Sequence, residues 1–537
     1  MSFAYGFHSI ETQYPYSDGS SVRFSGATKD AMISGIMEFT RPALVGLALV
    51  ITLNGCSLVR QQASRYPAAD VKGIYATARA NPERNPVILI HGFTGAKILR
   101  SADGATVWGA FFTEDAPLPS SPDGLRAVAL DIDGLQSPIR PEDLLHIRDD
   151  SHASELLEKA HAGAVVAKLS FGIYADMVKM VESAGYAPCR HVDQPAQSSA
   201  SPACFTFFYD WRQDNVGNAI ALGRFIDEAR HQVNAARSKN GSEIGESVRF
   251  DILAHSMGGL ITRYYLRYGA KDVLGETNPA VTWAGAENIS RAILIATPNF
   301  GAMQALKELI TGVKYPVVKY QQALLATYVS IYQMLPREDH ELWFGATGAL
   351  QPYVYMRADL WQDNHWGPFE DNQDRHLEVL FPDAETRAER VARMAEFMDA
   401  AFERGRRFMA ALDRYPETPA PISMILFAAD ASPTLENAMI AKDKDGRVLL
   451  QFKPGKKLKS PGDGRVTRAS ALADERAVSD LRGWLSSPIP WTQTFFLTDS
   501  HTSMFGNPTF QNNLLHLLLD RPPDGDVGSF GEQFESK

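Results

Sequence analysis

The stretch Ala254-His255-Ser256-Met257-Gly258-Gly259 sets a serine among small residues. A strand candidate, Phe250-Asp251-Ile252-Leu253, precedes it, and helical periodicity over Leu260–Tyr268 follows. That pattern suits a nucleophilic serine. A tight strand-to-helix turn lifts the hydroxyl above a sheet and points it at the positive end of the next helix. Only small neighbours fit such a turn, and Ala254 stands where a first glycine is usual. A serine also needs a base to take its proton and donors for the charge that develops on the substrate oxygen.

The donors follow from the turn. One N–H comes from the residue after the nucleophile, Met257, and the second from a loop leaving an earlier strand. His91-Gly92-Phe93-Thr94-Gly95 directly follows the apolar strand Val87–Ile90, which assigns the backbone N–H of Phe93 as the second donor. His91, just after the first core strand, reads as a loop-fixing residue and not as the base.

The base follows by elimination. On an α/β-hydrolase-type sheet the chain order runs serine, acid, histidine, and after residue 400 the only histidines are His501 and His516. His516 sits in the apolar helical run Leu514–Leu518, where a packed role is expected. His501, in Asp499-Ser500-His501-Thr502 after the last strand, lies where sites form in open sheets. Two acids remain open at this level. Asp430 comes directly off the strand Ile422–Ala428, and Asp463 lies in the loop Pro461-Gly462-Asp463-Gly464-Arg465-Val466. No Cys or His pair has metal-ligand spacing, so no metal and no cofactor are expected.

These residues need a scaffold. Apolar runs at Val87–Ile90, Phe205–Tyr209, Val248–Ala254, Ala292–Ala296, Ile422–Ala428 and Thr494–Thr498 alternate with helical stretches at Tyr174–Ala184, Val216–Ser238, Met257–Tyr268 and Thr509–Leu519. Continuous apolar strands separated by helices predict an α/β fold: a mostly parallel central sheet flanked by helices, of the α/β-hydrolase type. The first part of that core spans residues 57–298 and the second 416–537. Between them, residues 299–415 show helical regions around Gln304–Tyr332 and Ala384–Leu412, bracketing a segment with Trp343, Trp361, Trp366 and Phe369. An insertion placed there is expected to be a largely helical cap or lid. Its tryptophans and Trp108 read mainly as packing, with contact to substrate as the lesser alternative.

Residues 1–56 read as an N-terminal extension and leader. Arg41 precedes the uncharged run Pro42–Leu53, too short to span a bilayer comfortably, and Leu53-Asn54-Gly55-Cys56 closes it. The ending resembles the lipobox of bacterial lipoproteins, which makes Cys56 the expected lipidation site. Met37 offers an internal start. The chain is thus expected to be an exported bacterial lipoprotein, tethered to a membrane in the periplasm or outer membrane. In an oxidising compartment Cys189 and Cys204, flanking the polar stretch His191–Pro202, are expected to form a disulfide; closing such a loop contributes roughly 3 kcal/mol. A net charge of −10 over 537 residues disfavours nucleic acid and anionic surfaces as partners recruited by charge.

The chain resembles the lecithin:cholesterol acyltransferase family in five stretches. They are His91–Gly95; Gly185-Tyr186 with Tyr209-Asp210-Trp211-Arg212; Ala254–Gly259; Gly462-Asp463-Gly464 with Val466; and His501. The tetrad Tyr209–Arg212 is the most distinctive, and Tyr332-Gln333-Met334-Leu335-Pro336 also resembles a family segment. The family's acid lies in its Gly-Asp-Gly loop, so the resemblance implies Asp463; Arg465 departs from the usual threonine there. It also implies acyl-ester chemistry, with a lipid or phospholipid as substrate and an acyl-Ser256 intermediate. Cleavage by water is the expected outcome. The alternatives are transfer to an alcohol such as a sterol, or a tethered binding protein without turnover. Asp210 and Arg212 read as a charged pair bracing the loops near the site.

Overall fold

The computed structural model describes residues 84–519, apart from 112–120, 158, 163–169, 173, 196–201, 240–247, 315–318, 339–340, 345–347, 453–457 and 477–483. The expected leader, with Met37 and Cys56, lies outside these residues. The chain divides into Met1–Ala68 and Ala69–Lys537, and all described residues belong to the second unit.

Six strands build the central sheet: β1 (Val87–Ile90), β2 (Cys204–Phe207), β3 (Phe250–His255), β4 (Ile289–Ile295), β5 (Ser423–Ala429) and β6 (Trp491–Leu497). Their order is β2-β1-β3-β4-β5-β6, every pair parallel. The side chains of β1 to β5 are buried along their whole length, as continuous apolar runs require when helices cover both faces. Alternation assigns the faces. Ile88, Ile90, Ile252 and Ala254 pack towards α2 (Asn215–Lys239) and α3 (Met257–Tyr268). Val87, Leu89 and Leu253 pack towards α1 (Ala175–Ser183) and the C-terminal helix Pro508–Leu519.

Strand order reverses between β1 and β3: β1 leads to β2 on one side, and β3 leads outward to β6 on the other. Crevices form at the carboxyl ends of strands at such a switch point, because the loops on either side diverge. Ile90 pairs with Ala254, so the loops carrying Phe93 and Ser256 leave the sheet side by side.

The insertion rests on the serine's own helix. All twelve residues of α3 are buried. Across it lies α5 (Arg387–Asp413), numbered after α4 (Met303–Thr311); a reciprocal Thr386–Glu389 capping box starts α5. The carbonyls at its far end are taken by α3: Arg263 donates to Leu412 O at 2.7 Å, Tyr268 Oη to Ala411 O at 2.8 Å, and Arg267 to Arg414 O. Cations at a helix C-terminus meet the negative end of its dipole. A second buried tie joins Asp214, at the start of α2, to Arg404 of α5 at 2.8 Å and to Gln333 at 2.6 Å.

The insertion contributes no strand to the central sheet among the described residues, but it is not purely helical. Leu350–Pro352 and Glu341–Phe344 join Met439–Lys442 and Val448–Gln451 in a four-stranded sheet, tying the insertion to chain that follows β5. A separate antiparallel ribbon, Thr106–Trp108 with Ala96–Arg100 and Ser151–Leu156, follows the first loop. Strands this short carry too few alternations to stand out from loop sequence. Cys189 and Cys204 form a disulfide at the start of β2.

Candidate active site

Ser256 is the residue between β3 and α3, with φ +53° and ψ −124°. A non-glycine residue held there is strained, and its surroundings must over-determine the conformation. They do: its N–H donates to Ile295 O at 2.7 Å, and neighbouring loops leave no room for side chains. A Cβ on Gly258 would lie 2.4 Å from His91 O, so glycine is required for the two loops to meet.

His501 follows β6. Its Nε2 lies 3.0 Å from Ser256 Oγ and its Nδ1 2.7 Å from Asp463 Oδ2. The His501 N–H donates to Asp463 O at 3.0 Å, so backbone and side chain hold the pair together. Asp463 Oδ1 accepts the N–H groups of Val466 at 2.7 Å and Arg465 at 2.8 Å. Burial works against charge on Asp463, yet His501 and these N–H groups hold its carboxyl below the usual carboxylate range. The antiparallel pair Ser432–Leu435 with Lys459–Gly462 delivers the loop, and Gly464 turns it at φ +95°. Asp430 is elsewhere: its N–H donates to Leu497 O, and its carboxylate lies 3.7 Å from Arg468.

The loop after β1 is pinned peptide by peptide. The His91 ring is wholly buried and stacked on Tyr209 with centroids 4.1 Å apart. Its Nε2 accepts the Tyr209 N–H at 3.1 Å, so its Nδ1 carries the proton and donates to Gly92 O at 2.7 Å. Because the peptide is planar and trans, fixing that carbonyl also fixes the opposed N–H of Phe93. Tyr209 Oη donates to His91 O at 2.8 Å. Among the described residues, no acceptor takes the N–H of Phe93 or of Met257. Both are available to an oxyanion.

A cavity of about 290 Å³ opens at Ser256 and His501. Aromatic rings line it in a row leading away from the serine: Phe93 packs on Trp211 at 4.9 Å, Trp211 on Trp108 at 5.0 Å, and Trp108 on Tyr320 at 5.2 Å. Leu325, Ile331 and Met334 of the insertion continue the apolar wall. Arg465 and Glu308, 3.3 Å apart, are its charged lining. Trp361 and Trp366 lie buried inside the insertion instead, their indole N–H groups taken by Tyr355 O and Val448 O. The side chain of Trp343 is outside the described residues. Arg212 bridges Asp210 at 2.7 Å and also Asp149, bracing the chain on either side of Trp211.

Three aromatic lining residues are not singled out by the sequence: Tyr174, Tyr320 and Tyr328. None belongs to a motif, and their helical or loop positions look like ordinary packing. His255 was in plain view beside Ser256, but nothing in spacing separates a structural neighbour from a working one. Among the described residues, no group of three or more His, Cys, Asp or Glu is arranged to hold a metal ion.

The switch-point crevice of this parallel sheet and the serine at its turn define the class, an α/β-hydrolase-type fold. The family model described as Lecithin:cholesterol acyltransferase matches residues 145–375, and over that span the chain is similar to this family. The span contains Tyr209–Arg212 and Ser256 and leaves out Phe93, Asp463 and His501. Curated proteins give no match. Among solved structures, the chain is similar to one in the Tle4-Tli4 complex at 13% identity, covering 82% of this chain and 99% of that one, with TM-score 0.47. EstA from Clostridium botulinum is similar at 12% identity, with 82% and 88% covered and TM-score 0.25. Lipase 1 from Pelosinus fermentans is similar at 12%, with 82% and 99% covered and TM-score 0.28.

Proposed function

We propose that the chain is a serine hydrolase of lipid acyl esters, phospholipids among them, working through an acyl-Ser256 intermediate. The observation that carries this reading is the continuous line Ser256 Oγ–His501 Nε2 at 3.0 Å and His501 Nδ1–Asp463 Oδ2 at 2.7 Å, beside two free N–H groups. Ser256 Oγ attacks the ester carbonyl while its proton passes to His501 Nε2. The N–H groups of Phe93 and Met257 receive the oxyanion. Asp463 holds the imidazole tautomer and stabilises the imidazolium. His501 then returns the proton to the departing alcohol, and water, deprotonated by the same nitrogen, frees the acid.

The aromatic row from Phe93 to Tyr320 supports an acyl chain as the group bound, since most of the cavity wall is apolar. Transfer to an alcohol is the second reading, favoured by the acyltransferase family match. Export and a lipid anchor at Cys56 belong to the same proposal, supported by the leader pattern in the sequence.

The test is incubation of the full chain with labelled phospholipid plus a sterol, resolving free fatty acid from new ester. Hydrolysis yields free acid at a rate unaffected by the sterol; sterol ester as main product replaces it with transfer. A fluorophosphonate should label parent and spare Ser256→Ala. Folded parent that takes no label removes the enzyme reading and leaves the non-catalytic binder.

A further inference from the structure

A buried chain of hydrogen bonds borders the site, and the reaction above does not use it. Gly92 N–H donates to Tyr174 Oη at 2.8 Å, Tyr174 Oη lies 2.9 Å from His255 Nδ1, and His255 Nε2 lies 3.1 Å from His501 O. With His255 neutral, its two ends leave one direction for every proton. A backbone N–H can only donate and a carbonyl can only accept. Tyr174 therefore accepts from Gly92 and donates its O–H to His255 Nδ1, and His255 donates its Nε2–H to His501 O. The His255 imidazole must be neutral to complete this line; burial, first, and the neighbouring His501 push its pKa down to about 3.

The ends of the line matter more than its middle. Gly92 belongs to the loop that presents the Phe93 N–H, and His501 carries the base. His255 directly precedes Ser256 in the chain, and the rings of His255 and His501 lie 4.9 Å apart. We propose that Tyr174 and His255 are positioning residues: through one relay they hold the oxyanion loop and the base loop at a fixed separation across Ser256. This inference rests on the proposed acyl-serine chemistry and adds to it the residues that set its geometry.

The physical consequence is specific. The oxyanion donors and the His501 ring act on opposite ends of one transition state, and neither is needed to admit the acyl chain. Loosening the relay should therefore lower kcat with little change in KM. A displacement of about 1 Å between reacting groups is enough for a loss of about a hundredfold.

The experiment compares the full-length parent with Tyr174→Phe, His255→Asn, His255→Gln and Ser256→Ala on a chromogenic acyl ester, with circular dichroism to verify folding. Asparagine keeps an atom near Nδ1 and loses the donor that reaches His501 O; glutamine keeps a donor near Nε2. Tyr174→Phe and His255→Asn are expected to lose about tenfold or more in kcat with KM within about threefold, and His255→Gln to recover about tenfold over His255→Asn. Folded Tyr174→Phe with kcat within about twofold of parent overturns the inference. So does His255→Gln working no better than His255→Asn, a comparison that stands even where Tyr174→Phe does not fold. Turnover retained by Ser256→Ala is a different failure, since it removes the underlying acyl-serine reading.

Discussion

Gly92 and Ser256 approach so closely that a Cβ built on Gly92 would lie 2.7 Å from Ser256 Cβ. The loop after β1 and the turn at Ser256 thus meet with no room for a side chain on Gly92. That contact sets the Phe93 N–H beside the Ser256 hydroxyl proposed to attack the carbonyl.

Gly92→Ala is accordingly expected to push the loop off the serine turn. Real Cβ atoms do not approach so closely, so the backbone must shift by a fraction of an ångström or more. Loss of kcat of about a hundredfold is expected, with the fold retained. Steady-state kinetics on a short acyl ester reads it; an alanine variant as fast as the parent means that the Phe93 N–H does not serve the transition state.

The two candidate acids make a paired test. Asp463 alone touches His501, whereas Asp430 faces Arg468. Asp463→Asn should retain shape but lose the right tautomer, lowering kcat by about ten-thousandfold. Asp430→Asn should stay within about threefold, as for a surface change away from the site. The opposite ranking transfers the acid role to Asp430.

Acid should destabilise the fold before any carboxylate of the site protonates. Burial holds His91 down to about 4 and His255 down to about 3, against roughly 6.5 in the unfolded chain. Their folded pKa values are depressed, so the unfolded state binds more protons across this window. Stability is full above about pH 6.5 and falls as pH drops towards 4, by up to about 1.4 kcal/mol per pH unit for each histidine. Urea unfolding from pH 7 to 4 measures the slope. His255→Gln should flatten it by one proton, and equal slopes in parent and variant contradict the assignment.

The buried tie between core and insertion is expected to be costly to cut on one side. Arg404 and Asp214 are both buried, and Arg404→Leu leaves the carboxylate with Gln333 and backbone donors but no cation. A loss of about 3 kcal/mol is expected. A shift in urea midpoint with unchanged m-value reads it. A midpoint within experimental error of the parent contradicts the expectation.

Legibility differed by residue for physical reasons. Ser256, Phe93 and His501 each sit in a turn or loop leaving a strand, so strand positions together with chain order are enough to mark them. Asp463 is carried by a two-stranded ribbon that extends past the end of β5, and strand order alone pointed equally to Asp430. Only the family resemblance separated the two. The small strands at Glu341–Phe344 and Met439–Lys442 were invisible because pairing across about a hundred residues leaves no local pattern.

The sequence by itself determined the six strands of the central sheet, five of them buried on both faces, with their helices and the serine turn, because burial and a tight turn each constrain residue type locally. Tertiary structure alone decided which loops meet. The reversal of strand order between β1 and β3 sets Phe93 beside Ser256, and the ribbon after β5 brings Asp463 to His501. The relay Gly92–Tyr174–His255–His501 joins chain segments separated by 82, 81 and 246 residues, and hydrogen bonds over such spans follow from packing, not from neighbours in sequence.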